Sequence, residues 1–281
     1  MGRVQDKVVL VTGAARGQGR CHAIKLAGEG ADLILFDICR DVDSNDAPLA
    51  SPPDLDDVRR EVEKTGRRAI AVEVDVRDRI SLTRELAAAV AEFGRLDVVV
   101  ANAGICPLGA DKGTEAFIDA FDVDFVGVVN TVHAAIPYLT AGASIITTGS
   151  IAGLIAGTAK GTGPTGAGGS GYIYAKQLVD SYTNQIAILL APKSIRANVI
   201  HPTNVNTPML NNDAMYRQFR PDLEHPTRDD ALPAFAMMHS MPIPYVEAED
   251  VSNLLCFLAS DESRYITGGR FNVDGGAMLK F

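Results

Sequence analysis

Tyr172 and Lys176 stand four residues apart, and at helical spacing their side chains share one face while Tyr174 points elsewhere. A free phenol ionises near a pKa of about 10 and is a poor base at neutral pH, but an ammonium within about 4–6 Å stabilises the phenolate and draws that value down. The spacing places this pair at the start of a helix, with Lys176 supplying the charge. Ser150 follows an apolar run at 144 to 147, where a hydroxyl could orient a substrate carbonyl or alcohol. The chemistry would be proton transfer at an oxygen atom, with Tyr172 as acid or base. Tyr-x-x-x-Lys pairs are common on helix surfaces, so this one gains weight only from the order of the other elements.

A second constellation lies near the N-terminus. After the run Val8 to Val11 comes Thr12-Gly13-Ala14-Ala15-Arg16-Gly17-Gln18-Gly19, leading towards Gly28. Glycines there suit a tight turn that brings backbone close to a pyrophosphate and presents the free N–H groups of a helix N-terminus to the anion. The next apolar run, Leu33 to Phe36, ends in Asp37, placed to accept both hydroxyls of an adenosine ribose and to repel a 2′-phosphate. That favours NAD over NADP, although the guanidinium of Arg16 or Arg40 could embrace a phosphate. Asp75-Val76 and Asn102-Ala103-Gly104 close two further runs, at strand carboxyl ends where open α/β sheets bind ligands.

Other motifs fall away on their own chemistry. Asp41-Val42-Asp43-Ser44-Asn45 imitates a calcium loop, but Asp46 replaces the required Gly and Pro52 the terminal Glu, leaving a solvated acidic loop as the expectation. Gly149-Ser150-Ile151-Ala152-Gly153 resembles a nucleophile elbow, yet Thr148 occupies the leading Gly position and the serine is not expected to open a helix. The five histidines have no ligand spacing, and the four cysteines (Cys21, Cys39, Cys106, Cys256) form no C-x-x-C. Core or surface roles for the imidazoles and reduced packing thiols are expected, with no metal.

These residues need a scaffold, and the apolar pattern supplies one. Runs rich in Val and Ile recur at 8 to 11, 32 to 36, 69 to 74, 96 to 101, 144 to 147, 195 to 200 and 270 to 273. Between them, helical spacing appears at His22 to Ala27, Val58 to Val62, Leu82 to Phe93, Phe117 to Val128, Leu178 to Leu190 and Val251 to Leu258. Strand alternating with helix predicts an α/β, Rossmann-type, doubly wound sheet of seven mostly parallel strands with helices on both faces. The 281 residues, 47% hydrophobic, suffice for one domain with a large core. Three stretches break the pattern: an insertion at 38–57 on the cofactor side, a Gly-rich flap at 157–171, and a lid at 207–249 that holds five of the seven methionines. A net charge of −9 argues against nucleic acid or an anionic membrane as partner. No apolar run reaches a membrane span, no leader opens the chain, and Asp6 spoils an acylation site at Gly2, so a cytoplasmic protein is expected.

Taken in order, Thr12 to Gly19, Asp75, Asn102-Ala103-Gly104, Ser150 to Gly153, Tyr172 to Lys176, Pro202 to Thr207 and Val273 to Gly276 resemble the short-chain dehydrogenase/reductase family over essentially the whole chain. The resemblance implies a Tyr172 acid/base, a Lys176 that holds nicotinamide ribose and a Ser150 that positions the reacting oxygen. It implies a dinucleotide site built from Gly13, Arg16, Gly17, Gln18, Gly19, Asp37, Asp75, Val76, Asn102, Ala103, Gly104, Tyr172, Lys176, Pro202, Thr203, Val205 and Thr207, and a homotetramer. Arg16 to Arg20, the insertion after Asp37 and His201 to Met209 are similar to the carveol-dehydrogenase-like branch. For that branch the resemblance implies tightly held NAD under a lid and the external redox carrier mycofactocin. Relatives usually carry Asn where Asp124 stands, in a proton relay; a carboxylate could accept hydrogen bonds there but donate none unless protonated. The expectation is hydride transfer between NAD and a small apolar, cyclic, terpenoid-like secondary alcohol or ketone. NADPH-dependent reduction of a 3-oxoacyl thioester, and a non-catalytic dinucleotide-binding redox sensor, are the alternatives.

Overall fold

The computed structural model describes residues 2–155 and 166–280. Seven strands form one parallel sheet: β1 (Val8–Thr12), β2 (Asp32–Asp37), β3 (Ala69–Glu73), β4 (Val98–Ala101), β5 (Ser144–Thr148), β6 (Arg196–Pro202) and β7 (Arg270–Val273), in spatial order β3-β2-β1-β4-β5-β6-β7. Five are buried on both faces, and only the edge strands β3 and β7 are partly exposed. Period-two alternation divides the core, since Val8 and Leu10 of β1 enter one apolar layer and Val9 and Val11 the other.

The first layer is closed by α3 (Arg79–Phe93), α5 (Gly127–Ala135) and α7 (Gly166–Leu190), the second by α1 (Gly17–Gly28), α2 (Pro52–Lys64) and α10 (Ala248–Ala259). Local signals set their ends. Asp78 accepts from the Ile80 and Ser81 amides at the start of α3, Gly94 ends it in the left-handed region at φ 80°, and Ser51 with Asp54 forms a capping box on α2. Chain direction around the sheet reverses between β1 and β4, so a crevice opens at their carboxyl ends.

Three expectations are corrected. The glycines of 166–171 are not a flap: they form the first turns of α7, because the helix lies so close to its neighbours that a Cβ at Gly168 would fall 2.0 Å from the Pro107 carbonyl oxygen and one at Gly171 2.4 Å from that of Phe117. Positions 157–165 of the expected flap lie outside the described residues. The insertion 38–57 is not simply solvated, since Cys39, Val42, Ser44, Asn45 and Ala50 are all buried. Ser150 does open a short helix, α6 (Ile151–Ile155), its hydroxyl accepting the Ala152 amide at 3.1 Å.

Candidate active site

The crevice and a larger cavity meet at the carboxyl end of the sheet. The crevice is lined by Gly13, Arg16, Gly17, Gln18, Gly19, Asp37, Asp75, Val76, Asn102, Ala103, Gly104 and Thr207. The cavity, about 1000 Å³, holds Asp124, Ser150, Tyr172, Lys176, Pro202, Thr203, Val205 and Thr207. Gln18, Asn102, Gly104, Thr207 and Met209 border both. Every residue expected in the catalytic or dinucleotide site therefore lies on one of two adjoining surfaces.

The residues of the crevice fit a dinucleotide. Asp37 ends β2 with one carboxylate oxygen accepting the Ala15 amide at 2.9 Å and the other the Cys39 amide at 3.1 Å, which fixes the acid and leaves further lone pairs for hydroxyl donors. Gln18 Oε1 is buried without a partner at the junction of the two surfaces. A Cβ on Gly19 would lie 1.9 Å from the Gly13 carbonyl oxygen, and Gly17 turns at φ +54°, so the glycine-rich turn closes against itself and bares its amides. Arg16 donates to the Pro48 carbonyl and Arg40 pairs with Asp75 at 3.2 Å; both guanidiniums that could greet a 2′-phosphate are already engaged. Asn102 ties β4 to β1, donating to the Thr12 carbonyl at 3.0 Å, and its own oxygen accepts from Thr148 at 3.3 Å.

Sequence reasoning missed the apolar wall of this crevice. Ile38, Val42, Leu49 and Ala50 come from the insertion, which is pinned by Ser44 donating to Asp119 at 2.8 Å and by Asp46 pairing with Lys112. The signal was present as Val42 and Leu49 among acids, outvoted by charge.

In the cavity, α7 brings Tyr172 and Lys176 to one face two turns after its start. Ser150 and Tyr172 both line this cavity, and the Ser150 side chain favours the ionised phenol. Lys176 is buried: Nζ donates to the Thr148 carbonyl at 3.0 Å, pairs with Asp124 at 2.9 Å, and lies 5.5 Å from the Tyr172 ring centroid. Asp124 enters through a π-helical turn, Asp122–Val126, between α4 (Thr114–Phe121) and α5, a local irregularity frequent at functional sites. Its other oxygen accepts the Ile105 amide at 3.0 Å, and only a glycine at 104 leaves it room, since a Cβ there would lie 2.5 Å from Oδ1.

Here the expected electrostatics are corrected. Burial pushes the Tyr172 phenol above its ordinary value, with Cys106 and Asp124 adding to the rise and only the Ser150 side chain opposing it. The ammonium pairs with Asp124, whose own carboxyl is raised by burial against the pull of Lys176. Burial likewise lifts the Cys106 thiol to about 12.

The segment 207–249 lines the cavity with Met209, Met215, Met237 and Met238, whereas Met241 is 56% exposed and lies elsewhere. Phe235 and Tyr216 fill that segment's own small core between α8 (Asp213–Phe219) and α9 (Arg228–Met237), with the Phe219 and Phe235 rings edge to face at 4.7 Å. Among the described residues, no group of three or more His, Cys, Asp or Glu could hold a metal.

A doubly wound sheet with a glycine-rich first turn, an acid at the end of its second strand and a Ser, Tyr and Lys cluster at its carboxyl end defines a Rossmann-type oxidoreductase. The chain belongs to the short-chain dehydrogenase/reductase family. A family profile described as enoyl-(acyl carrier protein) reductase spans residues 13–278. The chain is 46% identical to a (-)-trans-carveol dehydrogenase of Rhodococcus erythropolis, over 100% of both chains. It is 35% identical to a trans-4-hydroxycyclohexanecarboxylate dehydrogenase of Sinomonas cyclohexanicum, covering 98% of this chain and 93% of that one. The crystal structure of carveol dehydrogenase from Mycobacterium avium in complex with NAD superposes with a TM-score of 0.93 at 42% identity, covering 99% of this chain and 100% of that one.

Proposed function

We propose that the protein is an NAD-dependent dehydrogenase of a small apolar, cyclic secondary alcohol, or the reductase of the matching ketone. The observation that carries this reading is the gathering of Ser150, Tyr172 and Lys176 on the wall of a largely apolar cavity that opens into a crevice bearing Asp37. Carveol and hydroxycyclohexanecarboxylate, named for two relatives, are secondary alcohols on six-membered rings and fit that chemistry.

NAD, when bound, supplies the acceptor for the C–H electron pair of the alcohol. Gly13 to Gly19 would hold its phosphates, Asp37 the adenosine ribose, Val76 and the insertion its adenine side, and Lys176 with Pro202 to Thr207 its nicotinamide half. Ser150 orients the substrate oxygen, and its own hydroxyl is aimed by the Ala152 amide. Tyr172 takes the alcohol proton in oxidation and returns it in reduction. With the phenol raised by burial, Tyr172 is protonated at neutral pH and ready to act as acid on a ketone; oxidation gains as pH rises. The methionines of the lid adapt to an irregular apolar substrate and exclude water around it.

Tight retention of NAD follows from the insertion packed over the crevice and pinned at Ser44 and Asp46. A homotetramer would cover the exposed apolar Ile118, Tyr174, Leu178, Ile188 and Leu189 of α4 and α7. Mycofactocin as external acceptor would recycle NAD that does not exchange. A cytoplasmic location accords with the absence, among the described residues, of any helix long and apolar enough to cross a membrane.

Single-turnover mixing of the NAD-loaded protein with a panel of cyclic terpenoid and steroid alcohols tests the proposal, with an artificial electron acceptor for multiple turnovers. Reduction of the bound dinucleotide by ring alcohols is the expected result. Tighter binding of NADPH than NADH, with turnover of 3-oxoacyl thioesters, would replace it by thioester reduction; no reduction by any of them would favour a redox sensor.

A further inference from the structure

Helix α7 carries a third polar side chain on the face of Tyr172 and Lys176. Asp180 follows Lys176 by one more turn, is buried, and has a carboxylate engaged at both oxygens. One oxygen meets His201 Nε2 at 3.1 Å and the other Arg270 at 2.7 Å. His201, the penultimate residue of β6, is wholly buried, and its Nδ1 lies 3.3 Å from the backbone carbonyl oxygen of Ser150. The ring rests directly on the peptide that precedes the serine, since a Cβ at Gly149 would fall 2.5 Å from Nδ1. An unbroken line of contacts thus runs from the third turn of the Tyr–Lys face to the main chain of Ser150, which shares the cavity wall with Tyr172.

We propose that Asp180 and His201 are positioning residues that hold the Ser150 peptide in register with α7, so that serine, tyrosine and lysine are all indexed to a single helix. This rests on the dehydrogenase reading. The ring stands between two acceptors, a carboxylate and a carbonyl, and a neutral imidazole has one N–H to give. It can therefore hold Asp180 or Ser150, and only the doubly protonated ring holds both. The charged groups that face it are Asp180 from α7 and Arg270 from β7; the end of β5 presents only the Ser150 carbonyl. Burial lowers the His201 pKa, Arg270 lowers it further, and Asp180 and the Ser150 carbonyl raise it. Protonation of His201, below its ordinary value near 6.5, tightens the grip on Ser150.

Ketone reduction is the informative direction, because Tyr172 stays protonated throughout the range in which His201 titrates. Steady-state kinetics across about pH 5 to 8 are compared for wild type, His201→Gln, Asp180→Asn and Arg270→Gln. Arg270 is 56% exposed at its side chain, so the last variant keeps the fold even where the buried changes weaken it. His201→Gln is expected to lower kcat about tenfold, with KM and NADH affinity within about twofold, as misplacement of a reacting group does. It should also erase a rise in kcat towards low pH. Arg270→Gln moves that rise to higher pH and Asp180→Asn to lower pH. Superimposable pH profiles in wild type, Arg270→Gln and Asp180→Asn would overturn the proposal, as would a His201→Gln enzyme with unaltered kcat below its melting temperature. The second readout needs no turnover: the carbon-13 carbonyl resonance of Ser150 should titrate with the His201 ring, in the same order of variants. If no alcohol or ketone reacts while that coupling is present, the dehydrogenase reading fails and the coupling stands; a Ser150 resonance blind to His201 overturns the coupling whatever the activity.

Discussion

At the scale of single residues, the active site is a contest over one ammonium. Lys176 lies near Tyr172 but gives its charge to Asp124 at 2.9 Å, and the carboxylate raises the phenol. Asp124→Asn removes that negative charge while its amide oxygen can still accept from Ile105. Lys176 is then free to act on the phenol, so the basic limb of kcat/KM for alcohol oxidation is expected to move down by about one pH unit. A limb that stays in place would mean that the Asp124 charge is not felt at Tyr172. Tyr172→Phe removes the proton acceptor altogether and is expected to lower turnover by about 10²–10⁴-fold, with NADH affinity retained; full turnover would defeat the proton-transfer scheme. Types, spacing and the order of the elements marked Ser150, Tyr172 and Lys176, which the fold brings to one cavity wall. That burial and Asp124 would dominate the phenol was not legible, because Asp124 arrives on a distant π-helical turn that local spacing does not reveal.

At the scale of elements, legibility followed what each segment packs against. All seven strands and the long helices show in the apolar period because they bury a face on the sheet. The lid helices α8 and α9 do not, since they pack mainly on each other around Phe235 and Tyr216. Glycines at 166–171 signalled a loop but serve close helix approach. That packing carries a prediction: Gly171→Ala would drive a methyl into the Phe117 carbonyl at 2.4 Å and push α7 from α4. The expected cost is about 1–3 kcal/mol of stability, read as a lower melting temperature, together with a fall in kcat because Tyr172 is the next residue. The insertion is a second case. Ser44→Ala deletes its half-buried hydrogen bond to Asp119, worth about 1 kcal/mol, and should speed release of bound NAD about fivefold in a chase with excess labelled NAD. Release at the wild-type rate would show that the pin does not limit exchange.

Across the whole molecule, three buried imidazoles share one electrostatic direction. His22 joins α1 to α10: its Nδ1 donates to the Ser252 hydroxyl at 2.7 Å, that hydroxyl donates to the Ala248 carbonyl at 2.8 Å, and Nε2 has no partner. The ring is therefore neutral, and burial drives its pKa down from 6.5 to about 3. Burial also lowers His201 and His239. In the unfolded chain each returns to its ordinary value, so below pH 6.5 the unfolded state binds more protons than the native one. Stability is then complete above about pH 6.5 and is lost as pH falls towards the folded value, by up to about 1.4 kcal/mol per pH unit for each such ring. The net charge of −9 works the other way, since acid relieves self-repulsion, but that effect is spread over an exposed surface and screened by salt. Urea unfolding at fixed protein concentration and about 0.15 M salt should accordingly show stability falling from about pH 7 to pH 5. His22→Leu should reduce that slope by up to one proton's worth, because Ser252 keeps its bond to Ala248 and the titrating ring is gone. An unchanged slope in His22→Leu would place the acid sensitivity outside the α1–α10 contact.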